Sequence, residues 1–349
     1  MKRWCWGFLC MVLVLLLTGC TEQRGTDAAG PEMSGCFSTE RSACRTGLAE
    51  VGGQVYGLSG YEGYFGLTTP ALEKWYPGGT HTRAGLNATL FSEIEGIAAL
   101  GDGLLVKRIE SNVLTVLDHS AHERRLYRFD PVTKRSTRME QWAFAAQGQL
   151  YRAADGQLLR LSADGSSVLQ AWPGELLAHW DSFALLEMDG VQTVMEFATG
   201  ACYPAPELAG KAWGWHEAVL EGGVMYLLEE TALTAANLST GERRTLITYP
   251  ADAYDSFLLS AERIILLGSG YRDEPHASAV YDRATLNCTL TFTHMAAAVD
   301  ALLAGDVLYL RDPYSGGASL GNGESWYDPA AASIIDLTTG REITWELND

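Results

Sequence analysis

Two histidines close together are the residues whose types and spacing best suit metal chemistry. His119 and His122 lie three positions apart, with Asp118 and Glu123 next to them. Imidazole and carboxylate groups are common ligands of Zn²⁺ and related ions. Short motifs are weak evidence, however, and a solvated loop accounts for the same residues. We therefore predict no metal site and keep His119 and His122 only as weak candidates.

Motifs of the common catalytic and cofactor-binding sites are missing from the sequence. It contains no His-Glu-x-x-His, no phosphate-binding loop and no dinucleotide fingerprint. The Asp-Gly pairs at 155–156, 164–165 and 189–190 suit hairpin turns better than calcium ligands. We expect no catalytic residue and no cofactor, and we favour a binding protein over an enzyme.

The composition excludes further classes of protein. The chain has 349 residues, of which 47% are apolar, enough for a sizeable core. Lys and Arg number 25 against 43 Asp and Glu, which gives a net charge of −18. Because nucleic-acid binding depends on a basic surface, we expect no nucleic-acid partner.

The first twenty residues have the layout of a secretory signal. Lys2 and Arg3 precede an uncharged apolar run, Trp4–Leu17, that is short for a membrane span. The segment Leu17-Thr18-Gly19-Cys20 resembles the bacterial lipobox. The resemblance implies cleavage before Cys20, which would carry a thioether-linked diacylglycerol with acyl chains such as palmitate. An ordinary signal peptide with a chance cysteine is the alternative.

A lipidated Cys20 would determine where the protein works. Several acyl chains on one residue suffice for stable anchoring. Removal of residues 1–19 deletes Lys2 and Arg3 and no acid, which takes the net charge to −20. Attraction to anionic lipid therefore cannot provide the anchor. We expect a protein secreted across the cytoplasmic membrane and lipid-anchored, at the cell surface or outer membrane according to the envelope type.

Residues 20–47 have the composition of a flexible tether. Gly, Ser, Thr, Pro and Ala dominate there without apolar periodicity. Cys36 and Cys44 near its end could form a disulfide in an oxidising compartment or remain free thiols. For Cys202 and Cys288 we favour buried apolar positions over a bridge.

A repeated unit of four short apolar runs fills the rest of the chain. Its clearest copy has runs at Trp142–Ala146, Gln149–Ala153, Gln157–Ser162 and Val168–Trp172, separated by Gly-containing turns. The second runs recur every 35 to 50 residues, centred near the following positions: Val55, Leu105, Leu150, Leu185, Tyr226, Leu266 and Leu308. Four-stranded units at this period are typical of β-propeller blades.

The turns of these units resemble those of PQQ-like and WD-like propellers, notably Ser239–Gly241 and Thr338–Gly340. The resemblance implies an all-β propeller of four-stranded blades over residues 48–349. We predict seven blades, with six or eight as alternatives, and a single monomeric head. A pair of β-sandwiches would explain the strands but not their even period.

Propeller topology assigns the connections to two faces. Turns between first and second strands, and between third and fourth strands, lie on one face and are short here. The long segments all belong to the opposite face, at 78–93, 107–125, 207–217, 270–278 and 312–332. We call this the loop-rich face and predict that it binds the ligand, because insertions on one face of a repeat protein mark its binding side.

Aromatic and polar residues of these segments are the candidate binding residues, since Tyr and Trp supply contact area at low entropic cost. They are Trp213, Trp215, His216, Tyr271, Arg272, Asp273, His276, Tyr314, Trp326, Tyr327 and Asp328. We expect a protein, peptide or glycan ligand and a binding or scaffold function. The alternative is an extracytoplasmic propeller enzyme, a lyase, lactonase or glycoside hydrolase, with its site at the channel mouth.

Overall fold

The computed structural model describes residues 46–64, 67–84, 86, 92–110, 123–139, 142–204, 217–268, 275–294, 300–311, 332–343 and 346–347. Regular structure in these ranges consists of β-strands that form seven antiparallel sheets. No helix long and apolar enough to cross a bilayer occurs among them.

The first four blades contain sixteen strands in chain order. Blade 1 has β1 (Leu48–Val51), β2 (Gln54–Tyr64), β3 (Leu67–Trp75) and β4 (Thr80–Arg83). Blade 2 has β5 (Ser92–Leu100), β6 (Gly103–Glu110), β7 (Glu123–Asp130) and β8 (Arg135–Arg138). Blade 3 has β9 (Phe144–Ala146), β10 (Gln149–Ala154), β11 (Gln157–Leu161) and β12 (Val168–Pro173). Blade 4 has β13 (Glu175–His179), β14 (Phe183–Met188), β15 (Val191–Glu196) and β16 (Cys202–Pro204).

The last three blades follow the same order. Blade 5 has β17 (Ala218–Glu221), β18 (Val224–Leu228), β19 (Ala232–Asn237) and β20 (Arg243–Thr248). Blade 6 has β21 (Ser256–Leu259), β22 (Arg263–Leu267), β23 (His276–Asp282) and β24 (Cys288–His294). Blade 7 has β25 (Asp300–Ala304), β26 (Val307–Arg311), β27 (Ala332–Asp336) and β28 (Arg341–Ile343). A short strand, β29 (Glu346–Leu347), pairs in parallel with β4 on the outer edge of blade 1.

The predicted seven-bladed propeller is confirmed, and the sandwich and the six- and eight-bladed alternatives are wrong. In blade 3 the four strands agree with the four predicted runs to within two residues at each end. All seven predicted centres lie within second strands.

Second strands are recognisable in the sequence because both of their faces are buried. In β22, Ile264 and Leu266 pack toward blade 5, whereas Ile265 and Leu267 pack toward blade 7. Successive side chains of a strand point to opposite faces, so a strand covered on both sides becomes a continuous apolar run. Each pair of adjacent blades encloses its own apolar cluster, and seven such clusters complete the ring.

Short turns join first to second and third to fourth strands, and we call their face the tight-turn face. The predicted hairpins between second and third strands are also present. The φ angles are 53° for Asp155 and 69° for Gly156, and 52° for Asp189 and 76° for Gly190. Two consecutive positive φ values define the turn that suits twisted β-hairpins, which explains Asp-Gly there.

Turns between third and fourth strands share a hydrogen-bonding device. The Asp282 carboxylate accepts hydrogen bonds from the Thr285 hydroxyl at 2.7 Å and from its backbone N–H at 2.7 Å. Four carboxylates, which we call the turn aspartates, are held in this way by Ser or Thr: Asp130, Asp164, Asp282 and Asp336. These bonds lower the pKa of each turn aspartate, to about 2 for Asp164.

The expected burial of Cys202 and Cys288 is wrong. Both cysteines are free thiols and both are exposed. Each begins an outer strand, β16 or β24, whose outer edge faces solvent rather than another strand.

A buried ion pair connects the last blade to the first. The Asp300 carboxylate accepts hydrogen bonds from Arg311 Nη1 and from the Gly47 backbone N–H, both at 2.8 Å. Arg311 Nε donates to the Leu58 carbonyl of blade 1. A Cβ at position 47 would lie 2.2 Å from Arg311 Nη1, so a larger residue there would displace the Arg311 side chain. We call this group the closure pair.

Candidate functional site: an axial channel

A channel of about 560 Å³ runs along the axis of the propeller and is lined by every blade. Its width follows from the sequence of the inner strands. Alanines supply much of the wall, among them Ala98 and Ala99 of β5, Ala145 and Ala146 of β9, and Ala218 of β17. Small side chains leave space at the axis, and the volume lies in the usual range for small-molecule sites.

The two sides of the channel differ in chemistry. Blades 5 to 7 contribute an entirely apolar wall, which includes Phe257, Leu258, Leu259, Leu302 and Leu303. Most of these apolar residues are partly exposed, so their apolar atoms contact channel water. The described polar side chains of the lining come from blades 1, 3 and 4 and the residue before β1: Thr46, Glu50, Gln147, His179, Asp181 and Ser182.

Two carboxylates lie toward the end of the channel at the tight-turn face. Asp181 belongs to the turn between β13 and β14, and Gln147 belongs to the corresponding turn of blade 3. Gln147 Nε2 donates to Asp181 Oδ2 at 3.3 Å. Glu50, near the end of β1, is exposed. Neither carboxylate has a cationic partner among the described residues, whose channel lining includes no Lys or Arg.

The environment of Asp181 is unusual for an exposed carboxylate. Asp181 is exposed to the channel, yet the blades that line the channel pack protein around it. This desolvation raises the pKa of Asp181, and the hydrogen bonds from Gln147 oppose the rise only in part. A carboxylate in this setting gains more from a cation than one in open water, because the enclosing protein weakens screening.

Aromatic stacking fixes the wall beside Asp181. The His179 ring stacks on Phe144 with centroids 3.9 Å apart and planes 11° apart. Trp180 stacks on Phe183 at 4.4 Å, also with planes 11° apart. The turn that holds Asp181 thus lies between two stacked pairs, which limits its movement.

Most of the predicted binding residues lie outside the described residues. These are Trp213, Trp215, His216, Tyr271, Arg272, Asp273, Tyr314, Trp326, Tyr327 and Asp328, together with Cys20, Cys36, Cys44 and the weak metal candidates His119 and His122. The strand ends that border the long segments do lie at one face, opposite the tight-turn face. Strands extend into some of these segments, since β4 lies within 78–93 and β23 begins at His276.

His276 is the one predicted binding residue that the structure describes. It is 6% exposed, and its ring lies 5.7 Å from that of His294, its cross-strand neighbour in blade 6. His294 Nε2 lies 3.0 Å from Ser278 Oγ, which accepts a hydrogen bond from the Gly268 N–H. Ser278 and His294 are both buried within the sheet, so the contact between the Ser278 hydroxyl and the His294 imidazole stabilises blade 6 away from solvent.

Within the described ranges, no group of three or more His, Cys, Asp and Glu residues is placed to hold a metal ion. Described histidines are spread over blade 1 (His81), blade 4 (His179) and blade 6.

Sequence reasoning missed Asp181 and Glu50. One signal was available for Asp181. Most turns between first and second strands contain glycine, as at Gly148, Gly222 and Gly305, whereas blade 4 has Trp180-Asp181-Ser182 instead. A repeat that replaces a glycine turn with a bulky aromatic and an acid points to a local role for those side chains.

The fold and site define a seven-bladed β-propeller with a two-sided axial channel. No protein-family model matches the chain, and no curated protein matches it in sequence.

Solved structures of similar fold include PorZ, an essential bacterial surface component of the type-IX secretion system of Porphyromonas gingivalis. It is 10% identical, with a TM-score of 0.47, and the match covers 88% of this chain and 39% of PorZ. BamB from Moraxella catarrhalis is 12% identical, with a TM-score of 0.36 and coverage of 86% and 84%. The extracellular domain of BT4673 from B. thetaiotaomicron is 12% identical, with a TM-score of 0.45 and coverage of 75% and 38%. At such identities these proteins are similar in fold alone, so function has to be argued from this chain's own residues.

Proposed function

We propose that this protein is a membrane-anchored, extracytoplasmic β-propeller lipoprotein that acts as a binding or scaffold module. Its ligand is a protein, peptide or glycan held on the loop-rich face. The observation that carries the proposal is the division of the connections between two faces. Short turns close one face, while the long, aromatic-rich segments join strand ends at the other. Recognition residues concentrate on such loops when a rigid scaffold presents them.

The scaffold itself is suited to presenting a surface. Seven apolar clusters and the closure pair hold the blades in a closed ring. Contacts between neighbouring blades also run along the tight-turn face, including Gly101 N–H to the Gly148 carbonyl at 2.9 Å and Gly222 N–H to Glu196. A ring of this kind costs little additional ordering when a partner binds, which favours affinity.

The test is capture of envelope components by the full chain, followed by a glycan array. The variant replaces Trp213, Trp215 and Trp326 with Ala, and the matched control replaces exposed Val132, which lies in a turn on the opposite face, with Ala. We expect the triple variant to lose the captured ligand while its thermal midpoint stays near that of the parent chain. The control should retain the ligand.

Two results would contradict the proposal. Retention of the same ligand by the triple variant would remove the loop-rich face as the binding surface. A large fall in thermal midpoint for the triple variant would show that the tryptophans pack the fold instead.

A further inference from the structure

The axial channel is a second binding site, and we propose that it takes a compact organic cation, a primary ammonium or guanidinium group on an apolar body. The cation enters from the tight-turn face, places its charge beside Asp181, with Glu50 adding negative charge to the same channel, and lays its apolar part against the leucines of blades 6 and 7. The ligand is either a free amine or a Lys or Arg side chain inserted by a partner. This site is separate from the loop-rich face.

The charge of the channel lining favours a cation. Asp181 and Glu50 both line the channel and have no cationic partner among the described residues. Two other acids on the same face do have cationic partners: Asp306 binds Arg263 at 2.5 Å, and Glu221 binds Arg283. The two channel carboxylates are therefore left available for a positive group from outside.

The shape and polarity of the channel favour a ligand with an apolar part. Leu258, Leu259, Leu302 and Leu303 are partly exposed toward a space of about 560 Å³. Apolar surface in contact with confined water gains free energy when a ligand covers it. An anion would be repelled by Asp181 and Glu50, and a small hydrated metal ion would leave the leucine wall uncovered. An organic cation satisfies both sides of the channel.

The surroundings of Asp181 strengthen its interaction with a cation. The enclosing protein raises the pKa of Asp181 by desolvation, so its carboxylate is in a medium where a charge-assisted hydrogen bond is strong. The stacking of His179 on Phe144 and of Trp180 on Phe183 holds this carboxylate in place before the ligand arrives. Binding should weaken as acid protonates Asp181.

The experiment compares benzylamine hydrochloride, benzyl alcohol and sodium benzoate by calorimetry on the purified full chain. A fourth titrant, the tripeptide acetyl-Leu-Lys-Leu-amide, tests a side chain as the source of the cation. We expect benzylammonium to bind at least about tenfold more tightly than benzyl alcohol, since one charge-assisted bond is worth about that factor, and benzoate not to bind. Whether the tripeptide competes with benzylammonium distinguishes an inserted side chain from a free amine.

Asp181→Asn and Glu50→Gln keep the side-chain shapes and remove the charges. Asp181→Asn should weaken benzylammonium binding about tenfold or more, and Glu50→Gln, which removes only a more distant charge of the channel, should weaken it by a smaller factor. Glu262→Gln is the matched control, because Glu262 is an exposed acid on the same face outside the channel lining. Thermal midpoints of all three variants check that the fold is intact. Equal affinity for benzylammonium and benzyl alcohol, an equal effect of Glu262→Gln, or binding of calcium chloride in place of benzylammonium would overturn the proposal. None of these results bears on the loop-rich face, which the tryptophan variants test separately.

Discussion

The closure pair predicts a large and specific loss of stability when one partner is removed. The Asp300 side chain is 3% exposed and that of Arg311 is 13% exposed, so neither charge is well hydrated. Asp300→Ala leaves a guanidinium without its carboxylate and the Gly47 N–H without its acceptor. Breaking a buried pair from one side costs about 3–5 kcal/mol. Arg311→Met should lower the free energy of unfolding by a similar amount, because it takes the guanidinium away from the buried Asp300 carboxylate.

The double variant Asp300→Ala/Arg311→Met separates this explanation from simple loss of packing. It removes both charges together, so no buried charge is left, and the remaining cost includes the unsatisfied Gly47 N–H, about 1–3 kcal/mol, and the lost bond from Arg311 to the Leu58 carbonyl. The double variant should therefore be more stable than either single variant. In a double-mutant cycle the coupling energy should exceed about 3 kcal/mol.

Urea unfolding followed by tryptophan fluorescence is the assay, because Trp75 lies in the apolar cluster between blades 7 and 1. Arg243→Met is the matched control, since the Arg243–Glu229 pair has side chains 41% and 31% exposed. An exposed pair contributes about 0–1 kcal/mol. If Asp300→Ala costs no more than this control, or if the two single costs add in the double variant, the closure pair does not hold the ring together.

Three further predictions concern the turns, the core and the anchor. The turn aspartates have lowered pKa values in the folded chain, so their contribution to stability is present above about pH 3.8 and is lost as the pH falls toward 2. Acid unfolding of Asp164→Asn should therefore show a shallower pH dependence than that of the parent chain. Identical curves would contradict this prediction. Tyr151 is fully buried, and its hydroxyl has no hydrogen-bond partner among the described residues. Tyr151→Phe should therefore leave the stability measured by thermal unfolding unchanged or raise it by about 1 kcal/mol. A clear loss of stability would reveal a water molecule bound to the hydroxyl. Cys20→Ala should release the protein from membranes or leave its precursor uncleaved in cell fractionation; a mature, membrane-bound variant would rule out the lipid anchor.

The blades could be predicted from the sequence because their signals are local. Second strands such as β22 are continuous apolar runs, and turns such as Asp189-Gly190 need residues that accept positive φ. Both signals lie within a few residues, so no knowledge of the ring is needed to recognise them.

The channel chemistry and the closure pair depend on the ring and were not predictable in this way. Gly47 and Asp300 are 253 residues apart in sequence and meet only after seven blades close. Asp181 and Glu50 come from different blades, and either one alone looks like an ordinary surface acid. The isolated Trp180-Asp181 pair was visible in the sequence, but only the structure places Asp181 in the lining of the channel.

The direction of β1 determines the face at which the chain enters the propeller. β1 starts at Leu48 and reaches the tight-turn face at Val51, so the chain enters the propeller at the axis of the loop-rich face. For the proposed lipid anchor at Cys20, a flexible chain of about 27 residues would have a root-mean-square reach of about 30 Å, and a compact head of about 300 residues is about 50 Å across. At that average reach, the proposed anchor would favour the orientation in which the entry point of the chain faces the bilayer. The loop-rich face would then lie toward the bilayer, and the acidic mouth of the channel would open to the aqueous phase.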